Sequence, residues 1–177
     1  MNSLLLLLLL NSNLNEEALT PDVKKEFDFI LKAAQQGNPE AQFTLGISYE
    51  IGDKVAKNPS QAFTWYHEAA KQGHPDAKYN LGIAYDHGDG VEQDHALAAM
   101  WYKKAALKGH TESQFNLGVA YLLGEGVERN ESEAYRWLST AALNGDVDAK
   151  KVLSFFSSEK PHEAALITEN EIAGDKK

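Results

Sequence analysis

Residues 73–108 read GHPDAKYNLGIAYDHGDGVEQDHALAAMWYKKAALK, and the chain on either side repeats that text every 36 residues. Gly37, Gly73, Gly109 and Gly145 mark one register, and Leu45, Leu81, Leu117 and Leu153 mark another. Tyr49, Tyr85 and Tyr121 keep the same step, as do Trp65, Trp101 and Trp137. A fixed period of this length signals stacked supersecondary units, because one such unit cannot bury its apolar face alone.

Each copy holds two helical patterns punctuated by glycine. His74 followed by Pro75 predicts an N-cap with proline at the first helical position, where its missing N–H costs nothing. Ala77, Leu81 and Tyr85 then recur at helical spacing until Gly88, whose counterparts are Gly52 and Gly124. Glycine is favoured there because the residue closing a helix adopts the left-handed conformation. The second helix is predicted to start after Asn58, Asp94 and Asn130, all strong N-cap types. Asn58 with Gln61, and Asn130 with Glu133, also have capping-box spacing. Ala98, Trp101, Tyr102, Ala105 and Ala106 form its apolar stripe. Alanines allow close approach of two helices, and the aromatics fill the remaining space.

The pattern A-x-x-x-L-G-x-x-Y-x-x-G-x-G-V followed by A-x-x-W-Y-x-x-A-A-x-x-G, carried here as AKYNLGIAYDHGDGV and ALAAMWYKKAALKG, resembles the Sel-one-like repeat, a relative of the tetratricopeptide repeat. The resemblance covers about residues 26–155. It implies an all-α fold, a right-handed α/α superhelical solenoid of 36-residue helix-loop-helix repeats. Lys54 departs from the loop glycine seen at Gly90 and Gly126, Ser113 stands for Ala77, and Leu138 for Tyr102.

Working outward, residues 21–36 read as an N-terminal capping helix, followed by repeats at 37–72, 73–108 and 109–144. Residues 145–158 are a partial repeat with one closing helix, and 159–177 a short helix over 162–172 with a tail. A last copy that loses its pattern is what a capping unit requires. Residues 1–20 contain seven consecutive leucines, Leu4 to Leu10. That run is too short to span a bilayer, and it lacks the basic flank of an export signal. The expectation is therefore a cytoplasmic protein without stable membrane insertion, the alternative being export through a weak N-terminal signal.

Composition and spacing narrow the chemistry. A net charge of −9 argues against a nucleic-acid-binding surface, and with no cysteine there is neither a disulfide framework nor thiolate metal ligation. His74 and His110 occupy the same repeat position, a full copy apart, too far to share an ion. The loop Asp86–Gly90 lacks the ligand spacing of a calcium hand. Gly88-Asp89-Gly90 and Gly124-Glu125-Gly126 follow helices rather than strands, so they are not nucleotide loops. Ser157 and Lys160 match a serine–lysine spacing without its companion motifs. No catalytic residue, cofactor or metal site is expected.

What remains is a surface. A second apolar stripe runs round each first helix: Phe43, Ile47 and Ile51, then Tyr79 and Ile83, then Phe115, Val119 and Leu123, ending at Lys151 and Phe155. Helical geometry lines these positions up from copy to copy, and the resemblance places this side of the first helix in a concave groove. The candidate partner-binding set is Phe43, Ile47, Glu50, Tyr79, Ile83, Asp86, Phe115, Val119 and Leu122. Glu40, Glu50, Asp76, Asp86 and Glu112 border it with negative charge. An apolar floor with acidic walls calls for a protein or peptide carrying hydrophobic anchors and basic residues. The expected function is an interaction scaffold. A β-lactam or cell-wall hydrolase, to which cysteine-rich relatives have been linked, and a structural self-association module are the alternatives.

Overall fold

The computed structural model describes residues 20–159, all of whose regular structure is helical. The leucine run and the helix expected over 162–172 lie outside the described residues. The helices are α1 (Pro21–Gln35), α2 (Pro39–Ile51), α3 (Pro59–Lys71), α4 (Pro75–His87), α5 (His95–Ala106), α6 (Thr111–Leu123), α7 (Glu131–Leu143) and α8 (Val147–Glu159). They fall into two compact units, Met1–Gln93 with α1 to α4 and Asp94–Lys177 with α5 to α8. Within each unit, every helix packs on its neighbour in the chain.

The helix starts follow from side chains that satisfy orphan backbone N–H groups. Asn58 Oδ1 accepts from the Gln61 N–H at 3.1 Å, Asp94 Oδ1 from Leu97 at 2.9 Å and Asn130 Oδ1 from Glu133 at 3.0 Å. His74 and His110 do the same with Nδ1, accepting from Ala77 at 3.3 Å and Ser113 at 3.2 Å. Each histidine thus has a structural role at its own helix start. The capping box is only half made. The Asn58 and Asn130 N–H groups donate to the Tyr49 and Tyr121 carbonyls at 2.8 and 2.9 Å, closing the hairpin, so no reciprocal bond is needed. Glu133 turns instead to Arg136 at 2.7 Å and Trp137 Nε1 at 3.2 Å. The Arg136 hydrogen bond holds the Glu133 carboxyl below its ordinary range.

Most of the expected core residues are buried, whereas Trp101, Leu153 and the repeated Tyr49, Tyr85 and Tyr121 remain partly exposed. In the first unit Phe27, Ala34, Leu45, Val55 and Trp65 cluster, with Ile30, Leu31, Ala41 and Tyr49 packed around them. In the second, Leu138, Ala141 and Ala149 cluster, with Phe115, Val119, Val152 and Leu153 against them. Two glycines set the closeness of the hairpins. A Cβ at Gly46 would overlap the Tyr66 ring, and one at Gly118 would lie 2.7 Å from Leu138 Cγ. A buried glutamine joins successive copies in each unit. Gln42 Nε2 donates to the Ala34 carbonyl at 3.1 Å, while Gln72 donates to Gln42 Oε1 at 2.8 Å. Gln114 likewise donates to the Ala106 carbonyl at 3.2 Å and accepts from Asn144 at 2.9 Å. These carbonyls belong to the last turns of second helices, which lack partners within their own helix.

Candidate partner-binding clefts

The helical starts and glycine ends described above fix which side of each first helix meets the following second helix. In the first unit, Phe43 lies half-buried on α2, its ring 4.4 Å from that of His74 in a stacked arrangement and 5.7 Å from Tyr66. Ile47, Tyr79 and Ile83 are half-buried, Glu50 is exposed at the last turn of α2, and Asp86 is half-buried near the end of α4. In the second unit, Phe115 and Val119 pack against the core cluster while remaining partly accessible, and Leu122 is half-buried. Ile51 and Leu123 project into solvent.

Two clefts gather several of these residues. In the first unit a cleft of about 110 Å³ is lined by Glu50, Lys57, Tyr66, Asn80, Ile83 and Asp89, with Ala62 and Phe63 on its walls. In the second unit a cleft of about 490 Å³ is lined by Leu122, Arg129, Glu131, Val152, Phe155 and Phe156. The two occupy the same place in the repeat. Two repeat lengths along, Glu50 corresponds to Leu122, Lys57 to Arg129, Asn80 to Val152, Ile83 to Phe155 and Ala84 to Phe156. The recurrent feature is a notch where a first helix, its own second helix and the next first helix meet.

The chemistry of the notch differs between units. In the first, the Tyr66 hydroxyl donates to Glu50 Oε2 at 2.5 Å. Tyr66 is 2% exposed. Burial, and then the bond to Glu50, push its hydroxyl far above the ordinary tyrosine range, so it serves as a neutral donor. In the second unit Leu122 and the fully buried Leu138 replace the Glu–Tyr pair, and Leu122, Val152, Phe155 and Phe156 line the notch beside Arg129, Glu131 and Lys151.

Glu50, Ile83 and Leu122 were legible as surface candidates from spacing alone, as was Phe155 at the stripe's end. Lys57, Tyr66, Asn80 and Asp89 were not, and neither were Arg129, Glu131, Val152 and Phe156. A signal for them exists in the columns of the repeat: an acid at 50 goes with tyrosine at 66, and leucine at 122 with leucine at 138. Among the described residues, no group of three or more histidine or acidic side chains is placed to hold a metal ion. No described helix is long and apolar enough to cross a membrane.

Comparison with known proteins identifies the helical repeat. The Sel1 repeat matches at residues 39–74, 75–110 and 111–146, together more than half of the chain. Among solved structures, c5321, a protective antigen of uropathogenic Escherichia coli with an SLR fold, is 37% identical with a TM-score of 0.77. That match covers 79% of this chain and 30% of the antigen. A Sel1 repeat protein from Oxalobacter formigenes is 35% identical with a TM-score of 0.68, over 73% of this chain and 98% of the other. The Helicobacter pylori cysteine-rich protein B shares the fold at 24% identity and a TM-score of 0.58, over 74% of this chain and 94% of that one. The chitin synthase regulator SKT5 of Saccharomyces cerevisiae is 43% identical over 51 residues, 29% of this chain and 7% of the yeast protein. The chain thus spans a small fraction of the regulator and under a third of the antigen. Its helical hairpins, their 36-residue period and these matches lead to one conclusion: the chain belongs to the Sel1 repeat family, whose fold class is the all-α repeat solenoid.

Proposed function

We propose that this protein is a scaffold that holds a peptide or helix of a partner protein in the notches along its first helices. Sel1 repeat proteins are generally protein-interaction scaffolds. The observation that carries the reading to particular residues is the recurrence of a cleft at one repeat position in both units. A surface maintained by packing alone has no need of an open notch at the same place twice. Both notches combine apolar lining residues, Ile83 and Phe63 in one and Val152 and Phe155 in the other, with charged ones. That combination suits a chain carrying large apolar anchors between polar residues.

The test is selection of a random peptide display library on the full-length protein, followed by affinity measurements on Ile83→Glu and Phe155→Glu variants. Both substitutions sit at partly or largely exposed positions, so each variant should keep the wild-type circular dichroism spectrum. Selected peptides should lose at least about tenfold in affinity with one or both variants, since a carboxylate would face a buried apolar anchor. Unchanged affinity for both would remove the notches from consideration.

A further inference from the structure

We propose that the notch of the first unit receives the cationic end of a partner's lysine or arginine side chain, with Glu50 as its counter-charge. The inference rests on the reading that the notches hold a partner, and it adds the chemistry of one anchor.

Glu50 is a carboxylate held in place rather than one free to wander. It stands in the last turn of α2, and the buried Tyr66 hydroxyl fixes one of its oxygens at 2.5 Å. A carboxylate offers about four acceptor positions, and Tyr66 occupies one of them. No lysine, arginine or histidine among the described residues pairs with Glu50, although Lys57 lines the same cleft. Other carboxylates of the chain are treated differently: Glu26 meets Lys54 at 2.9 Å, Glu131 meets Arg129 at 2.7 Å and Asp148 meets Lys151 at 2.7 Å.

Helix polarity points the same way. The C-terminal end of a helix carries partial negative charge and favours a cation, and α2 has no basic residue in its last turn. The walls complete the fit. Ala62, Phe63 and Ile83 offer apolar surface to the methylene stem of lysine or arginine, whose charged head then meets Glu50, with Asp89, which faces His87 at 3.9 Å, in the same lining. The cleft's volume of about 110 Å³ suits the end of one side chain projecting from a peptide or helix that lies across it. The second unit provides an internal contrast. Its notch has Leu122 where Glu50 stands and Val152 where Asn80 stands, and the carboxylate that lines it, Glu131, is already paired with Arg129 at 2.7 Å.

The experiment is a double-mutant cycle on the full-length protein with peptides selected from the display library. Each lysine or arginine of a selected peptide is replaced in turn by norleucine, which keeps the stem and removes the charge. Affinities are measured on wild type, Glu50→Gln, Tyr66→Phe and Ile83→Glu. One basic residue should lose about tenfold on wild type and almost nothing on Glu50→Gln. Tyr66→Phe should weaken the same contact partially, because the carboxylate loses its fixed orientation. Equal norleucine penalties on wild type and Glu50→Gln would overturn the inference. If Ile83→Glu abolishes binding while Glu50 couples to no basic residue, the notch reading stands and the cation does not. Indifference to every variant, or a library that yields no binder, removes both.

Discussion

Lys54 occupies a position that the other copies give to glycine. Its φ is 63°, the left-handed region, where a side chain costs about 1 kcal/mol or more. Gly90 and Gly126 share that conformation and approach the preceding copy so closely that a Cβ would overlap the Pro59 and His95 backbones. The loop of Lys54 faces the lone helix α1 and reaches it through its side chain, to Glu26 at 2.9 Å, instead of by backbone approach. That hydrogen bond also holds the Lys54 ammonium above its ordinary range. The same residue therefore has opposite consequences at two equivalent positions. Lys54→Gly should stay within about 1 kcal/mol of wild type, since relief of the left-handed conformation offsets the lost ion pair and the freer unfolded chain. Gly90→Lys should cost about 3 kcal/mol or more through backbone overlap. Urea denaturation of the two variants checks both. Tyr66 carries a further prediction. A folded-state pKa pushed up by burial and by Glu50 contributes stability that is whole below the ordinary tyrosine range, near pH 10, and is lost as pH rises above it. Stability should then fall by up to about 1.4 kcal/mol per pH unit from this tyrosine, and Tyr66→Phe should remove that component. Tyr49, also raised by burial, contributes in the same direction.

At the level of helices, the contact between the two members of a hairpin decides more than their propensities do. Glycine in a helix interior is about 1 kcal/mol worse than alanine, so propensity alone favours Gly46→Ala and Gly118→Ala. The structure reverses that sign. A methyl group at 46 would enter the Tyr66 ring, and one at 118 would press on Leu138 Cγ at 2.7 Å and its backbone nitrogen at 3.2 Å. Both substitutions should destabilise by about 1–3 kcal/mol, the usual cost of overpacking, measured by thermal or chemical denaturation. The helix boundaries themselves were readable from single residues, since a cap acts within four positions of itself. Thr20, Asn38, Asn58, His74, Asp94, His110 and Asn130 each accept from an N–H three residues on. The capping-box return was not readable, because the competitor for the Asn58 and Asn130 N–H groups is a carbonyl on the preceding helix. The role of Gln42 and Gln114 is not legible from sequence for the same reason. Their partners, the Ala34 and Ala106 carbonyls, sit in a different helix, eight residues earlier in the chain.

For the molecule as a whole, the contrast between the two notches separates electrostatic from apolar recognition. The net charge of −9 draws basic ligands toward the protein generally, but only a contact at Glu50 fixes one in place. Peptides whose affinity depends on Glu50 should weaken as salt is raised beyond about 0.15 M, where the screening length falls below about 8 Å. Peptides anchored by an apolar residue in the notch of Leu122 and Phe155 should hold or gain affinity in the same titration, because sulfate and phosphate salts strengthen apolar burial. Isothermal titration at two salt concentrations distinguishes the cases, and a uniform response would mean that both classes bind at one surface.

The fold was legible because its determinants are local and repeated. Caps, left-handed glycines and the spacing of Leu45, Tyr49 and Trp65 act within one hairpin, and their recurrence every 36 residues makes each copy confirm the next. The apolar stripe could be drawn from the same periodicity, but not divided into core and surface. That division depends on what lies across the helix: His74 and Tyr66 beside Phe43, the Leu138 cluster behind Phe115, and open space beyond Leu123. The site lay further out of reach, because Glu50, Tyr66 and Asn80 are 16 and 14 residues apart on three helices. Sequence alone determined the hairpin and its repetition, through interactions only a few residues long. Tertiary structure decided which residues line a common notch, because a cleft exists only where three helices meet.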